Sequence, residues 1–140
     1  GLVGSEMCIR DRVKIASRNR FYYPDLLVTC DRRDQATDYY QSFPKLIIEV
    51  LSDSTEGFDR GDKFADYREL DSLEDYVLVS QKRQRIDRFL RTSIHEWLMT
   101  SYTIGSVVKL ASVGLDLPMA EIYDEVPIDS IDSIDSPNLA

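Results

Sequence analysis

The chain has 140 residues, of which 43% are hydrophobic, and this is enough for one small domain with an apolar core. Its two cysteines, Cys8 and Cys30, have no CxxC or Cys/His spacing, which argues against a disulfide scaffold or a zinc site and predicts a reducing, cytoplasmic compartment. No apolar run reaches the roughly 18 residues that a membrane span needs, so no membrane partner is predicted.

The net charge of −8 is distributed unevenly along the chain. From Ala111 onward there are seven acidic residues and no Lys or Arg, so the segment before it carries a charge of only −1. The acidic total therefore does not exclude an anionic partner such as a nucleic acid, although it does not favour one either.

The two ends of the chain differ from its middle. Residues 1–12 have no strand or helix period and do not begin with Met, so we interpret them as a leader or cloning scar. The segment 127–140 repeats Ile-Asp-Ser and has little apolar mass, which predicts a disordered acidic tail. The folded domain is therefore expected over 13–126.

Two apolar strands are predicted in the first half of this domain. The strand Leu26–Thr29 follows Pro24-Asp25 and precedes a polar loop over 31–42. The segment 45–51 is apolar apart from Glu49, and such a continuous run is typical of a central strand covered on both faces.

A helix is predicted over 60–70, with Asp59 as its N-terminal cap. Lys63 and Tyr67 are four residues apart, so they lie on the same side of that helix. Its apolar face is marked by Phe64, Tyr67 and Leu70.

The second half is predicted to hold two hairpins, one pairing 76–79 with 86–91 and the other pairing 97–103 with 107–110. The first hairpin turns through the basic segment 82–85, and the second turns through Gly105. Pro118 is predicted to begin one helical turn that extends to Tyr123.

Glu49 is the residue that most needs a physical explanation, because a carboxylate among apolar neighbours is costly to bury unless it is paired or binds a cation. Asp25 can approach it if the two strands pair. Two carboxylates can hold Mg²⁺ or Mn²⁺, which offsets charge on a phosphoryl group and generates a nucleophile from water. Lys63, reaching in from the helix, can orient that water or stabilise the developing negative charge.

Taken singly, each of these three residues also has a structural interpretation. Pro-Asp is common in turns, a strand Glu can face solvent at a sheet edge, and a Lys near a helix start is commonly solvated. Paired carboxylates also occur in glycosidases, but a lysine partner and a small domain favour phosphoryl chemistry. His95 is the sole histidine and has no nucleophile motif near it, so a Ser-His-Asp or Cys-His site is not predicted.

The order of these residues resembles that of the Uma family, described as "putative restriction endonuclease", within the PD-(D/E)xK nuclease superfamily. The resemblance extends through 73–79 and, more loosely, to about Val126. It rests on Tyr22-Tyr23-Pro24-Asp25, on the run from Pro44 to Ser52, and on Ser54-Thr55-Glu56, Asp59-Arg60, Lys63 and Tyr67.

The resemblance implies an α/β (α+β) fold of the restriction-endonuclease type, with a mixed sheet flanked by helices, and Mg²⁺-dependent cleavage of DNA. Asp25 and Glu49 match the two catalytic, metal-binding acids of the family motif. The motif's lysine stands two residues after the second acid, where this chain has Leu51. Lys63 on the following helix is therefore the candidate for that role, with Tyr67 supporting the site.

Family members also have a longer stretch before the Pro-Asp strand. A sheet that lacks its first strands has an open edge, which predicts poor folding, pairing into a homodimer, or loss of activity. The alternative function is thus a truncated or degenerate nuclease domain that binds nucleic acid or protein without catalysis. For phosphate contacts with DNA, the sequence favours the basic residues Arg83, Arg85 and Arg88.

Overall fold

The computed structural model describes residues 6–8, 12–36, 40–126 and 128. Its main sheet has six strands, which lie side by side in the same order as along the chain: β1 (Glu6–Cys8), β4 (Leu26–Thr29), β5 (Pro44–Leu51), β6 (Asp75–Ser80), β7 (Arg85–Ser93) and β8 (Glu96–Thr103). In this sheet β5 and β6 pair in parallel, whereas the other neighbours pair antiparallel. The predicted mixed α+β fold class is therefore confirmed.

Two small hairpins and three short helices pack around this sheet. The hairpins are β2 (Val13–Ile15) with β3 (Arg20–Tyr22), and β9 (Val107–Leu110) with β10 (Leu115–Pro118). The helices are α1 (Glu56–Arg60), α2 (Asp62–Tyr67) and α3 (Met119–Glu125), and short 3-10 turns cover Ala16–Arg18, Arg32–Ala36 and Ala111–Val113. No helix among the described residues is long and apolar enough to cross a membrane.

The sheet separates two apolar cores, and β5 contributes to both of them because successive side chains point to opposite faces. Ile47 and Leu51 belong to the helix-side core, which also contains Phe64, Tyr67, Tyr76 and Leu78. Leu46, Ile48 and Val50 face the hairpin-side core, which contains Val77, Ile86, Val108, Leu110, Met119 and Tyr123. The prediction of a central strand covered on both faces is thus confirmed.

The predicted helix over 60–70 is interrupted. Gly61 separates α1 from α2 with φ −102° and ψ −100°, values outside the helical region. Asp59 is not the cap of this helix, because it lies inside α1 and is buried. The apolar face was predicted correctly, since Phe64, Tyr67 and Leu70 are all buried.

The second predicted hairpin is wrong, whereas the first one is confirmed. The strands β6 and β7 form an antiparallel pair, as expected. By contrast β8 pairs with β7, and β9 pairs with β10 rather than with β8. Gly105 takes φ +85° in the turn where the chain leaves the sheet, and Val108 and Leu110 then bury themselves in the hairpin-side core.

The proposed boundaries at the chain ends fall largely outside the described residues. Within the predicted leader 1–12, Glu6–Cys8 form the edge strand β1 and pair with β4, so this part belongs to the sheet. Within the predicted tail 127–140, Ile128 is described, and it packs against the hairpin-side core. The disorder predicted for the rest of the tail lies outside the described residues.

Candidate active site

Asp25 and Glu49 are brought together by the pairing of β4 with β5. In this antiparallel register Leu26 lies opposite Ile48 and Leu27 opposite Ile47. Continuing the register by one residue places Asp25 opposite Glu49. Because Glu49 alternates with Ile48 and Val50, its side chain points to the helix side of the sheet, where α2 packs.

Two hydrogen bonds connect the pair of acids to the backbone. The Asp25 N–H donates to Glu49 Oε1 at 3.3 Å, and the Val50 N–H donates to Asp25 Oδ2 at 2.7 Å. The second bond is short, as expected when a carboxylate accepts from an amide. Both carboxylates are therefore oriented by the sheet, which is more rigid than a loop.

Lys63 reaches the same place from α2. Its Nζ lies 2.9 Å from Glu49 Oε2 and 3.1 Å from Asp59 Oδ1, and its side chain is only 14% exposed. Tyr67, one turn further along α2, donates from its hydroxyl to Glu49 Oε2 at 3.2 Å. The structure therefore gathers Asp25, Glu49, Lys63 and Tyr67 at one site.

The charges at this site are unbalanced toward the acids. Burial raises the pKa of Glu49 to about 7, and although Lys63 opposes this shift, the charges of Asp59 and Asp25 add to it. For Lys63, burial alone would lower the pKa, but Glu49 and Asp59 together raise it above its ordinary value. The site thus holds a protonated lysine beside a carboxyl group whose charge would be stabilised by a further cation.

Two aromatic rings lie near the ammonium group of Lys63. Its Nζ lies 5.6 Å from the centre of the Tyr22 ring and 5.8 Å from that of Phe58. Tyr22 is in turn held by Asp66, to which its hydroxyl donates, and Arg20 Nη1 binds the same carboxylate at 2.8 Å. At these distances the two rings add weak cation–π attraction to the ion pairs that Lys63 makes with Glu49 and Asp59.

The available ligands suit a hard divalent cation. Among the described residues no group of three or more His, Cys, Asp or Glu side chains is arranged to hold a metal. Asp25 and Glu49 are two adjacent carboxylates, and Asp59 is a third that pairs with Lys63. Mg²⁺ is commonly held by one or two carboxylates, with water and substrate phosphate oxygens completing its coordination. The residues present therefore fit Mg²⁺ or the similar Mn²⁺.

Sequence reasoning missed the role of Asp59 at this site. Its position predicts a helix cap, yet Asp59 is buried in α1 and pairs with Lys63 of α2 across the break at Gly61. The spacing of four residues between Asp59 and Lys63 was the available signal. Leu51, which stands where the family motif has its lysine, is buried in the helix-side core.

The predicted basic surface needs one correction. Arg88 is buried, and its Nε donates to Asp75 Oδ1 at 2.7 Å. Its guanidinium therefore pairs with a buried carboxylate and is not an accessible phosphate contact. It shares the hairpin-side face of β7 with Ile86, which explains its burial. Arg83 is exposed and Arg85 has a 44% exposed side chain, so these two stay accessible.

Two curated proteins are similar to this chain in sequence. "Uncharacterized protein slr1290" of Synechocystis sp. is 37% identical over 112 residues, covering 80% of this chain and 59% of that protein. "Uncharacterized protein sll1609" of the same organism is 36% identical over 92 residues, covering 64% of this chain and 51% of that protein. The chain therefore spans little more than half the length of these curated relatives.

A solved structure shares the fold. A crystal structure described as "a putative nuclease belonging to DUF820" from Anabaena variabilis superposes with a TM-score of 0.70, covering 88% of this chain and 70% of that chain. The two are 12% identical in sequence, so this likeness establishes the fold alone. Residues 4–120 match the model of the Uma2 family, "Putative restriction endonuclease". This match covers most of the chain, which therefore belongs to the Uma2 family.

Proposed function

We propose that this protein is an endonuclease that hydrolyses phosphodiester bonds of DNA with a bound Mg²⁺ or Mn²⁺ ion. The observation that carries the proposal is the convergence of Asp25, Glu49 and Lys63, with Lys63 Nζ 2.9 Å from Glu49 Oε2. Membership of a family described as "Putative restriction endonuclease" supports the same reaction class.

In this proposal each residue has a separate task. A divalent ion between the carboxylates of Asp25 and Glu49 would supply positive charge to the phosphoryl oxygens and lower the pKa of bound water. Lys63 is held protonated by Glu49 and Asp59, so it can donate hydrogen bonds to a phosphoryl oxygen or to the attacking water. Tyr67 fixes the position of Glu49 through its hydroxyl.

DNA is the proposed partner because the reaction class requires it and because basic side chains remain accessible near the carboxyl ends of β5 and β6. Arg83 and Arg85 are the residues of the predicted surface that keep this role. The acidic net charge of −8 does not oppose it, since seven of the acids lie from Ala111 onward.

The test is cleavage of supercoiled plasmid and linear duplex DNA by the chain, with Mg²⁺, with Mn²⁺ and with a chelator. We expect metal-dependent cleavage that falls by orders of magnitude in Glu49→Gln and in Asp25→Asn, because each change removes a metal-binding charge and nearly keeps the shape. Glu69→Gln, on an exposed residue outside the site, is the matched control. Equal cleavage by Glu49→Gln would contradict the assigned role. DNA binding without cleavage would favour the non-catalytic alternative.

A further inference from the structure

A second polar pocket lies beside the candidate active site, at the carboxyl ends of β5 and β6. Its volume is about 360 Å³, and Leu51 and Ser80, the last residues of the two strands, lie in its wall. The charged side chains around it are four cations and one carboxylate, namely Arg60, Lys82, Arg83, Arg85 and Glu56. Such a concentration of positive charge in a concave site favours an anionic ligand.

Two of these cations are held in place by Asp87, which is buried beneath them at 1% exposure. Its carboxylate accepts from Arg60 Nη2 at 2.7 Å, from Arg85 Nε at 3.2 Å and from the Ser101 hydroxyl at 2.6 Å. A guanidinium has five N–H donors, more than these contacts and that of Arg60 to Glu56 require. Arg60 and Arg85 are therefore oriented in advance and can still donate to a bound oxyanion.

The other two cations lie on the turn between β6 and β7, and Tyr123 of α3 holds this turn. The Tyr123 hydroxyl lies 2.6 Å from the Ser80 carbonyl oxygen and 3.0 Å from those of Arg83 and Arg85. It also accepts from the Arg85 N–H at 3.2 Å. Tyr123 is thus a positioning residue for the basic turn, acting from the opposite face of the sheet.

Lys82 has a contact of its own, with Asp53, whose side chain is 77% exposed. An ion pair this exposed contributes little free energy, so a phosphate can compete with Asp53 for Lys82 at small cost. Lys82, on the rim of the pocket, can therefore exchange its partner. Arg60 and Arg85, at the base, are held in place by the buried Asp87.

The pocket also lies close to the candidate active site. Leu51 follows Glu49 by two residues on the same face of β5, a distance of about 7 Å along the strand. Arg60 and Lys63 lie on either side of the break at Gly61. A DNA strand positioned for cleavage at Glu49 and Lys63 can therefore place a neighbouring phosphate at the pocket.

We infer that this pocket binds a phosphate group of the DNA substrate, outside the bond that is cleaved. Arg60 and Arg85 form its preoriented base, Lys82 and Arg83 form its rim, and Tyr123 keeps the rim in position. The inference rests on the proposed function for the identity of the ligand, but it makes a separate prediction about binding.

The experiment measures duplex binding to the Glu49→Gln protein, without cleavage, at several salt concentrations. We expect the double reversal Lys82→Glu and Arg83→Glu to raise the dissociation constant about tenfold or more, equally for unrelated sequences. The slope of log K against log salt should also become shallower by about one phosphate contact, or about 0.9. Arg60 and Arg85 are left unchanged because their loss would leave the buried Asp87 carboxylate without its cations and destabilise the fold.

Matched variants separate a local effect from an effect of total charge or folding. Lys109→Glu reverses an exposed lysine outside the pocket and changes the net charge as much as Lys82→Glu or Arg83→Glu does alone. We expect Lys109→Glu to leave the salt slope unchanged, whereas each single reversal in the pocket should flatten it. Tyr123→Phe should weaken binding and flatten the slope without altering any cation. If that variant were merely less folded, the amount of bound duplex would fall and the slope would stay the same.

Duplexes with a 5′-phosphate and with a 5′-hydroxyl end distinguish an internal phosphodiester from a terminal phosphate as the ligand. Equal sensitivity of both duplexes to the Lys82 and Arg83 reversals supports an internal phosphate, and sensitivity of the phosphorylated duplex alone supports a terminal one. If the Lys82→Glu and Arg83→Glu reversals leave the salt slope unchanged, as expected for Lys109→Glu, the pocket does not bind phosphate. This conclusion would hold even if the unmodified protein cleaves DNA. Conversely, pocket-dependent binding without any cleavage would overturn the proposed function and retain the pocket.

Discussion

Lys63 Nζ lies 2.9 Å from Glu49 Oε2, although the lysine is on a helix and the acid is in the middle of a buried strand. The pair is not isolated, because Asp59 contacts the same ammonium and Asp25 lies on the other side of Glu49. A single lysine thus pairs with two carboxylates while a third lies nearby, and this excess of negative charge has measurable consequences for stability and activity.

Glu49→Gln should change how stability depends on pH. The folded-state pKa of Glu49 is raised to about 7 from the ordinary 4.5, so the folded protein holds a proton that the unfolded chain releases. This contribution to stability is complete below about pH 4.5, is lost as the pH rises toward about 7, and amounts to on the order of 3 kcal/mol. Denaturant titrations with a chelator should show wild type losing this stability relative to Glu49→Gln. A constant difference across that range would contradict the prediction.

Lys63→Met should destabilise the protein more at pH 8 than at pH 5, because it leaves Glu49 and Asp59 buried without their cation. The expected loss at the higher pH is about 3 to 5 kcal/mol, as for other broken buried pairs. Lys45→Met is the matched control, since Lys45 pairs with Glu74 at 3.8 Å on the surface and should contribute at most about 1 kcal/mol. Similar unfolding midpoints for the two variants would show that the contacts of Lys63 with Glu49 and Asp59 do not stabilise the fold.

Asp59→Asn should lower kcat/KM about 10- to 100-fold, the usual effect of losing a residue that orients a directly acting one. Asn keeps the shape of the side chain but removes the negative charge that attracts the Lys63 ammonium, so Lys63 is held beside Glu49 less firmly. Asp62→Asn, on an exposed neighbour in the same helical region, should leave cleavage unchanged. An unaltered rate for Asp59→Asn would show that Glu49 and the surrounding rings suffice to position Lys63.

Arg88→Ala should be a folding defect rather than a DNA-binding defect. The change leaves Asp75, which is fully buried, without the guanidinium at 2.7 Å, so we expect a loss of about 3 to 5 kcal/mol in unfolding free energy. Arg83→Ala, on the exposed turn, should stay within about 0.5 kcal/mol of wild type. Thermal and denaturant unfolding of the two variants measures this difference. Equal stability of the two variants would contradict a buried ion pair between Arg88 and Asp75.

The sequence predicted those elements whose patterns are strong and local. β5 was recognisable from its continuous apolar run, and Glu49 stood out because it interrupts that run. The pairing of β4 with β5 then placed Asp25 opposite Glu49, as the two-strand argument required. The catalytic roles of these residues remain proposals, but their proximity follows from patterns visible in the sequence.

The elements that sequence reasoning missed depend on long-range packing. β8 is largely exposed, so its pattern does not specify its partner, and its true neighbour β7 could not be distinguished from β9. Arg88 belongs to a basic run, yet its burial depends on Asp75 in another strand. Asp59 was ambiguous for the same reason, since a cap and a buried partner of Lys63 look alike until the helix is placed.

The alternation of side chains along β5 makes the candidate site intolerant of changes in chain length. Ile47, Glu49 and Leu51 face one side of the sheet, and Ile48 and Val50 face the other. Inserting or deleting one residue within this strand would turn Glu49 into the hairpin-side core and an apolar side chain toward Lys63. Changes in chain length should therefore be confined to connections such as the turn between β7 and β8, while β5 keeps a fixed number of residues in proteins that retain this arrangement of Glu49 and Lys63.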